Sequence, residues 1–297
     1  MNKDIFKILK DKIEYDLKPE EAKISTMTIC LDMSNDFKFE CFNIGKYLKV
    51  DNKFIEEIKF SDENNDIKIR SQVKKKSKQK RKKKIGKKSK KDSFYNQATI
   101  IVKISETKTI NIKLFKNGSV QMTGCDSIEN AKKSIERLFE LMNQSRYVLD
   151  FAKKQIQEIK FISANDNKKL TLDCIDHGTV VLINCNFNIG FEINRDKLYE
   201  IISNKKNESI MEIKKSNGTE LIDKDIPQKY MDCTYDPIRH ACVNIKLNHP
   251  IKTVTIFVFE SGSIIILGKS CRQIRDAYNF INVFLLTNYF NVCCKNN

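Results

Sequence analysis

Two sets of side chains, one in each half of the chain, fall on alternate positions of segments with strand-like periodicity. The first set is Thr26, Thr28, Lys103, Lys113, Phe115 and Thr123. The second is Asn184, Asn186, Asn188, Lys246, Phe257, Phe259, Ile265 and Leu267. Hydroxyls and amides hydrogen-bond base edges, lysines neutralise phosphate, and large apolar groups wedge between stacked bases. The mixture is too polar for a second core layer and too apolar for an ordinary solvated face. It suits the minor groove of a DNA duplex. Taken singly, an exposed Thr or Asn on a strand is a solvated residue, and a lone Phe is as easily covered by a loop. Recurrence of Phe115 and Phe259 at matching places in the two halves argues for function.

Other chemistries find no support. There are no paired acids, no nucleophile–base motif and no Gly-rich phosphate loop, so the chain reads as a non-enzyme without a cofactor. His177 beside Asp176 reads as structural. Ten cysteines show no C-x-x-C spacing and three histidines are scattered, so no metal site is expected. Net charge is +16, yet Lys74 to Lys91 holds thirteen Lys or Arg and no acid, leaving +3 for the remainder. Such a run repels itself and is expected to be disordered. It serves either as a nuclear-localising run or as a tether for phosphate, with Lys80, Arg81, Lys82, Lys83 and Lys84 as non-specific contacts. No apolar run approaches the roughly 18 residues of a membrane span. The charged N-terminus lacks a signal-peptide core. An intracellular setting with reduced cysteines is expected.

The elements that position these residues come in duplicate. Residues 110–124 read I-N-I-K-L-F-K-N-G-S-V-Q-M-T-G, and residues 254–268 read V-T-I-F-V-F-E-S-G-S-I-I-I-L-G. Phe115, Gly118, Ser119 and Gly124 match Phe259, Gly262, Ser263 and Gly268 step for step. Ile110, Ile112 and Leu114 alternate with Asn111, Lys113 and Phe115; Val254, Ile256 and Val258 alternate with Thr255, Phe257 and Phe259. Period two with one apolar face predicts a strand packed on one side. N-G-S and S-G-S predict hairpin turns. After each hairpin a helix is predicted. Ser127 caps a stripe of Ile128, Ala131, Ile135, Leu138 and Met142. Ser270 and Gln273 form a capping-box pattern before Ile274, Ala277, Ile281 and Phe284. Opening strands are predicted around Met27, Ile29 and Leu31, and around Ile183, Cys185, Phe187 and Ile189. Further strands are predicted at Ile100, Val102 and Ile104, and at Val243, Ile245 and Leu247. The helices must cover one face of the sheet, leaving the two sets of site residues on the other.

This pattern resembles the TATA-box-binding protein family. The family's strand ending in Phe, its S-G-K turn and its T-G before a long helix appear as L-F-K-N-G-S-V-Q-M-T-G (114–124) and V-F-E-S-G-S-I-I-I-L-G (258–268). Its Y-E-P appears as Tyr235-Asp236-Pro237. The lysine-rich insertion looks most like the versions carried by large nucleocytoplasmic DNA viruses. The resemblance implies an α+β saddle of two pseudo-symmetric repeats, a curved antiparallel sheet with helices on the convex face. The first repeat is expected over 1–155, with the basic insertion at about 71–92, and the second over 156–297. It implies a transcription initiation factor that grips and bends the minor groove of AT-rich promoter DNA. Implied partners are double-stranded DNA, a B-type initiation factor and DNA-dependent RNA polymerase, with no membrane. The implied location is the host cytoplasm (a viral factory) or nucleus, with packaging in the virion as a further setting.

The sequence also departs from the family. Phe115 and Phe259 match one wedge of each half. His240 stands at the other wedge of the second half, and the Y-N-P-x-x-F segment of the first is shortened to Tyr95-Asn96-Gln97, with Phe94 displaced and Phe257 a compensating wedge. Ser119 and Ser263 replace lysines, Lys113 replaces a leucine, and Leu267 replaces a threonine that Thr123 keeps. These departures support an alternative reading, a protein-interaction module whose saddle has lost sequence-specific DNA binding.

Overall fold

The computed structural model describes residues 5–7, 22–72, 96–150, 154–164, 168–204, 231–248 and 252–294. Lys80 to Lys84, Phe94, Tyr95 and nearly all of the expected basic insertion lie outside the described residues. Two compact units divide the chain. Thr28–Thr179 belong to the first; Val180–Asn297, with the start of the first strand up to Met27, belong to the second.

In the first unit the order is β1 (Lys23–Met33), β2 (Phe37–Phe39), α1 (Cys41–Tyr47), β3 (Ile55–Ser61), β4 (Ile67–Ser71), β5 (Gln97–Lys103), β6 (Thr109–Phe115), β7 (Ser119–Cys125) and α2 (Ile128–Met142). The strands lie in the order β1-β7-β6-β5-β3-β4. From β7 to β4 each pairing is antiparallel. After α2 come β8 (Arg146–Asp150) and β9 (Gln155–Ile159), a separate two-stranded ribbon, and β10 (Ile162–Ala164), which pairs with β2.

The second unit repeats the plan with β11 (Ile175–Asn188), α3 (Arg195–Asn204), β12 (Met231–Thr234), β13 (Cys242–Leu247), β14 (Val254–Phe259), β15 (Ser263–Gly268), α4 (Cys271–Thr287) and α5 (Tyr289–Val292). Its strand order is β12-β13-β14-β15-β11, again antiparallel. The class is α+β, as the resemblance implies.

Alternation builds each core. Ile110, Ile112, Leu114, Val120 and Met122 are buried in the first unit; Val254, Ile256, Val258, Ile264 and Ile266 are buried in the second. α2 packs on β7, and α4 packs on β14 and β15. The predicted stripes are the buried ones, joined by Phe139 in α2 and by Phe280 and Leu285 in α4. Each fully buried Ile, Leu or Phe contributes about 1.5–3 kcal/mol, so these stripes fix which face of the sheet is closed.

The helix starts follow the sequence with one difference. Ser127 Oγ accepts from Asn130 N at 3.1 Å, and Ser270 Oγ accepts from Gln273 N at 3.3 Å. A reciprocal box would return the Gln273 side chain to the Ser270 amide. Instead Gln273 Oε1 accepts from Lys269 N at 2.8 Å, and Nε2 donates to Lys252 O at 2.6 Å. The buried amide thus ties the helix start to the loop before β14. The hairpin turns match between units: Gly118 N donates to Phe115 O and Gly262 N to Phe259 O, at 2.9 and 3.1 Å. Both glycines have positive φ, +93° and +76°, which L side chains rarely adopt.

Candidate nucleic-acid interface

Side chains that alternate with the core point to the open face, and strand register sets them in rows. In the first unit one row runs Lys59, Thr99, Lys113, Gln121. The next runs Glu57, Ile101, Asn111, Thr123. Phe115 pairs with Gln97 at the hairpin end. Beside it lies an open depression of about 550 Å³ lined by Lys38, Asn96, Phe115, Lys116 and Asn117. In the second unit one row runs Thr234, Asn244, Phe257, Ile265, Asn186, and the next runs Asp232, Lys246, Thr255, Leu267, Asn184. Phe259 pairs with Cys242. The structure therefore sets Lys113 with Thr99, and Phe257 with Ile265, as direct cross-strand neighbours.

Each expected residue has a definite place. Lys113, Phe115, Phe257, Phe259, Ile265 and Leu267 are half-buried, while Thr123, Asn186 and Lys246 are exposed. Thr28 is on this face but only 7% exposed, so its hydroxyl is largely covered. Lys103 is tied to Glu106 at 2.8 Å. Asn188 spends its amide on its own loop: Nδ2 donates to Ser261 O at 3.1 Å and Oδ1 accepts from Gly190 N at 2.7 Å. Thr26 Oγ1 accepts from Asn184 Nδ2 at 2.7 Å, within the second unit. His240 is exposed in the β12–β13 loop, where Asp236 Oδ1 accepts from Ile238 N and Arg239 N. Ile238 on that loop is 94% exposed.

Several residues of this face were not among those expected. Asn111 and Thr255 were legible from alternation. Thr99, Gln121, Asn244 and Lys59 required the register. Four of these open-face side chains hold a covered oxygen with no hydrogen-bond partner: Thr99 Oγ1, Asn111 Oδ1, Asn184 Oδ1 and Asn244 Oδ1. Buried polar atoms are nearly always paired, and leaving one unpaired costs about 1–3 kcal/mol. These covered oxygens lie between the rows of half-buried side chains, where strand packing rather than solvent surrounds them.

The electrostatics of the face are mixed. Ser119, at the place of a family lysine, donates through Oγ to Asp32 Oδ1 at 2.9 Å. Burial, then the nearby Asp32 carboxylate, push the Cys30 thiol above its ordinary range and keep it neutral. Cys242 is also pushed up by burial, with Arg195 opposing.

The hairpin turns and first strands give a residue-by-residue equivalence between units. Met33 N bonds Gly118 O as Ile189 N bonds Gly262 O, at 3.3 and 3.0 Å. Thr28 thus corresponds to Asn184, Thr99 to Asn244, Lys113 to Phe257, Gln121 to Ile265 and Thr123 to Leu267. The first unit presents a polar face, the second a more apolar one.

Comparison with known proteins finds relatives of this chain. The family described as "Transcription factor TFIID (or TATA-binding protein, TBP)" matches residues 83–145. The chain is similar to a "TATA-box-binding protein-like" protein of Acanthamoeba polyphaga mimivirus, 34% identical over 278 residues, covering 92% of this chain and 67% of that one. It also aligns with the solved structure of Methanococcus jannaschii TBP with a TM-score of 0.45 and 14% identity, over 90% of this chain and 98% of that one. Duplicated hairpin–helix units and a similarity that runs through both of them carry one conclusion: the chain belongs to the TATA-box-binding protein family.

Proposed function

We propose that this protein is a DNA-binding transcription initiation factor whose open face grips and bends the minor groove of AT-rich DNA. The observation that carries this reading is one face in each unit that sets half-buried Phe115, Phe257 and Phe259 among Lys113, Thr123, Asn186 and Lys246. The minor groove offers base-edge hydrogen bonds in a floor that large apolar groups can enter once the base steps unstack. AT-rich duplex is favoured because TA steps kink easily. Two halves of one design suit a duplex, whose minor groove has its own approximate two-fold symmetry. The remaining site residues contribute unequally: Lys113 and Lys246 supply charge, while Asn188 and Lys103 are held by neighbours. Recruitment of a B-type initiation factor and of RNA polymerase belongs to this reading, as does an intracellular place of work.

The test is duplex bending by end-labelled DNA. The wild type bends an AT-rich duplex, and the Phe115→Ala/Phe259→Ala protein binds it without bending. A wild-type protein that bends no duplex rules the reading out. The alternative, a protein-interaction module, draws on His240 and Ser119, which stand where the family carries a wedge and a phosphate-binding lysine. It predicts sequence-blind, unbent binding.

A further inference from the structure

Resting on the DNA-binding reading, we infer that Lys113 determines base specificity, restricting the half of the site that meets the first unit to A·T pairs. Lys113 is central on its open face. It lies between Thr99 and Gln121 across the sheet, and two residues from both Asn111 and Phe115 along the strand. Lys103 on that face is neutralised by Glu106. Among the described residues Lys113 makes no ion pair, and its side chain is half-buried rather than splayed into solvent. A second observation points the same way. Thr99, directly opposite, is 6% exposed and its Oγ1 has no partner. With the Thr99 hydroxyl covered, the polar groups beside it in the row that a ligand can reach are those of Lys59 and Lys113.

An ammonium has three donors and no acceptor. In the minor groove, A·T and T·A pairs show only acceptors, adenine N3 and thymine O2. A G·C pair adds the guanine N2 amino donor. A lysine at the floor is satisfied by the first and confronts a like donor in the second. A lysine at the rim would instead meet phosphate and be blind to sequence. Its place in the middle of the rows, bounded by strands on both sides, assigns Lys113 to the floor. The corresponding residue of the second unit is Phe257, which neither donates nor accepts. That half selects by deformability, and its tolerance of G·C pairs differs from that of the first half.

The experiment replaces each base pair of an AT-rich site in turn by G·C and measures binding by the wild type and by Lys113→Met, over a range of salt. Methionine keeps an unbranched stem and removes the charge. Unchanged thermal unfolding confirms its fold. In the wild type, a G·C pair under the first unit weakens binding by about tenfold. In Lys113→Met this penalty falls below about threefold at one or two positions of one half only, and the salt slope is unchanged. Uniform weakening across all sequences, with the slope reduced by about one, makes Lys113 a phosphate contact and overturns the inference. An unchanged penalty, or equal relaxation in both halves, also overturns it. Failure of the DNA-binding reading shows separately, as a wild type that neither prefers nor bends AT-rich duplex.

Discussion

Gly262 shows how one residue holds the candidate face in register. It turns β14 into β15 at φ +76°, and a Cβ there would lie 2.3 Å from Phe191 O. Gly262→Ala therefore meets both an unfavourable backbone region and a backbone clash. It is expected to cost about 2 kcal/mol or more, read as a fall in thermal midpoint of about 4 °C or more. An unchanged midpoint would show that the turn relaxes freely. The same residue was legible in the sequence, because S-G-S between two alternating runs requires a turn. Single site residues were legible only in part. Alternation placed Lys113 and Phe257 on the open face, but it could not reveal that Asn188 is consumed by its own loop or Lys103 by Glu106. Those facts depend on partners that period-two patterning does not identify. The orphaned oxygens of Thr99 and Asn244 were hidden for a related reason: covering depends on which side chains flank them across the sheet.

At the scale of elements, α4 is anchored more strongly than a capping pattern alone suggests. Gln273 is fully buried and bonds both the Lys269 amide and the Lys252 carbonyl. Gln273→Ala leaves those two groups unpaired and is expected to cost about 2–4 kcal/mol. Ser270→Ala, which removes an ordinary cap, is expected to cost about 1 kcal/mol. Urea unfolding of the two variants orders them; the reverse order would mean that water replaces the Gln273 bonds. The elements themselves were mostly readable, since α2, α4 and the two hairpins have strong periodicity. β2 and β10 were not, because three-residue strands carry too little pattern and pair across a wide separation. The β8–β9 ribbon was not either. Tyr147, Leu149 and Ile156 are exposed, so its apolar residues obey no rule of burial. β4 escaped notice because it is an edge strand with exposed Ile69.

For the whole molecule, charge is the dominant quantity. Thirteen of its basic residues lie between Lys74 and Lys91, and the rest of the chain carries only +3 of the +16. If that run neutralises six phosphates, log K falls with log salt at a slope of about −5. Deletion of 74–91 is expected to make the slope shallower by several units while leaving the bend of an AT-rich duplex intact. A slope that does not change would place the phosphate contacts on the described units instead. The two faces of the duplicated hairpin bear on the chain's history. Inward positions have stayed apolar in both copies: Ile110 and Val254, Ile112 and Ile256, Leu114 and Val258, Val120 and Ile264, Met122 and Ile266. Outward positions have parted company, Lys113 from Phe257, Gln121 from Ile265 and Thr123 from Leu267. Phe115 recurs outward as Phe259, so the two copies share one scaffold and one aromatic while the rest of their outward alphabets differ. Either copy's outward alphabet is then transplantable onto the other's scaffold without disturbing what lies beneath.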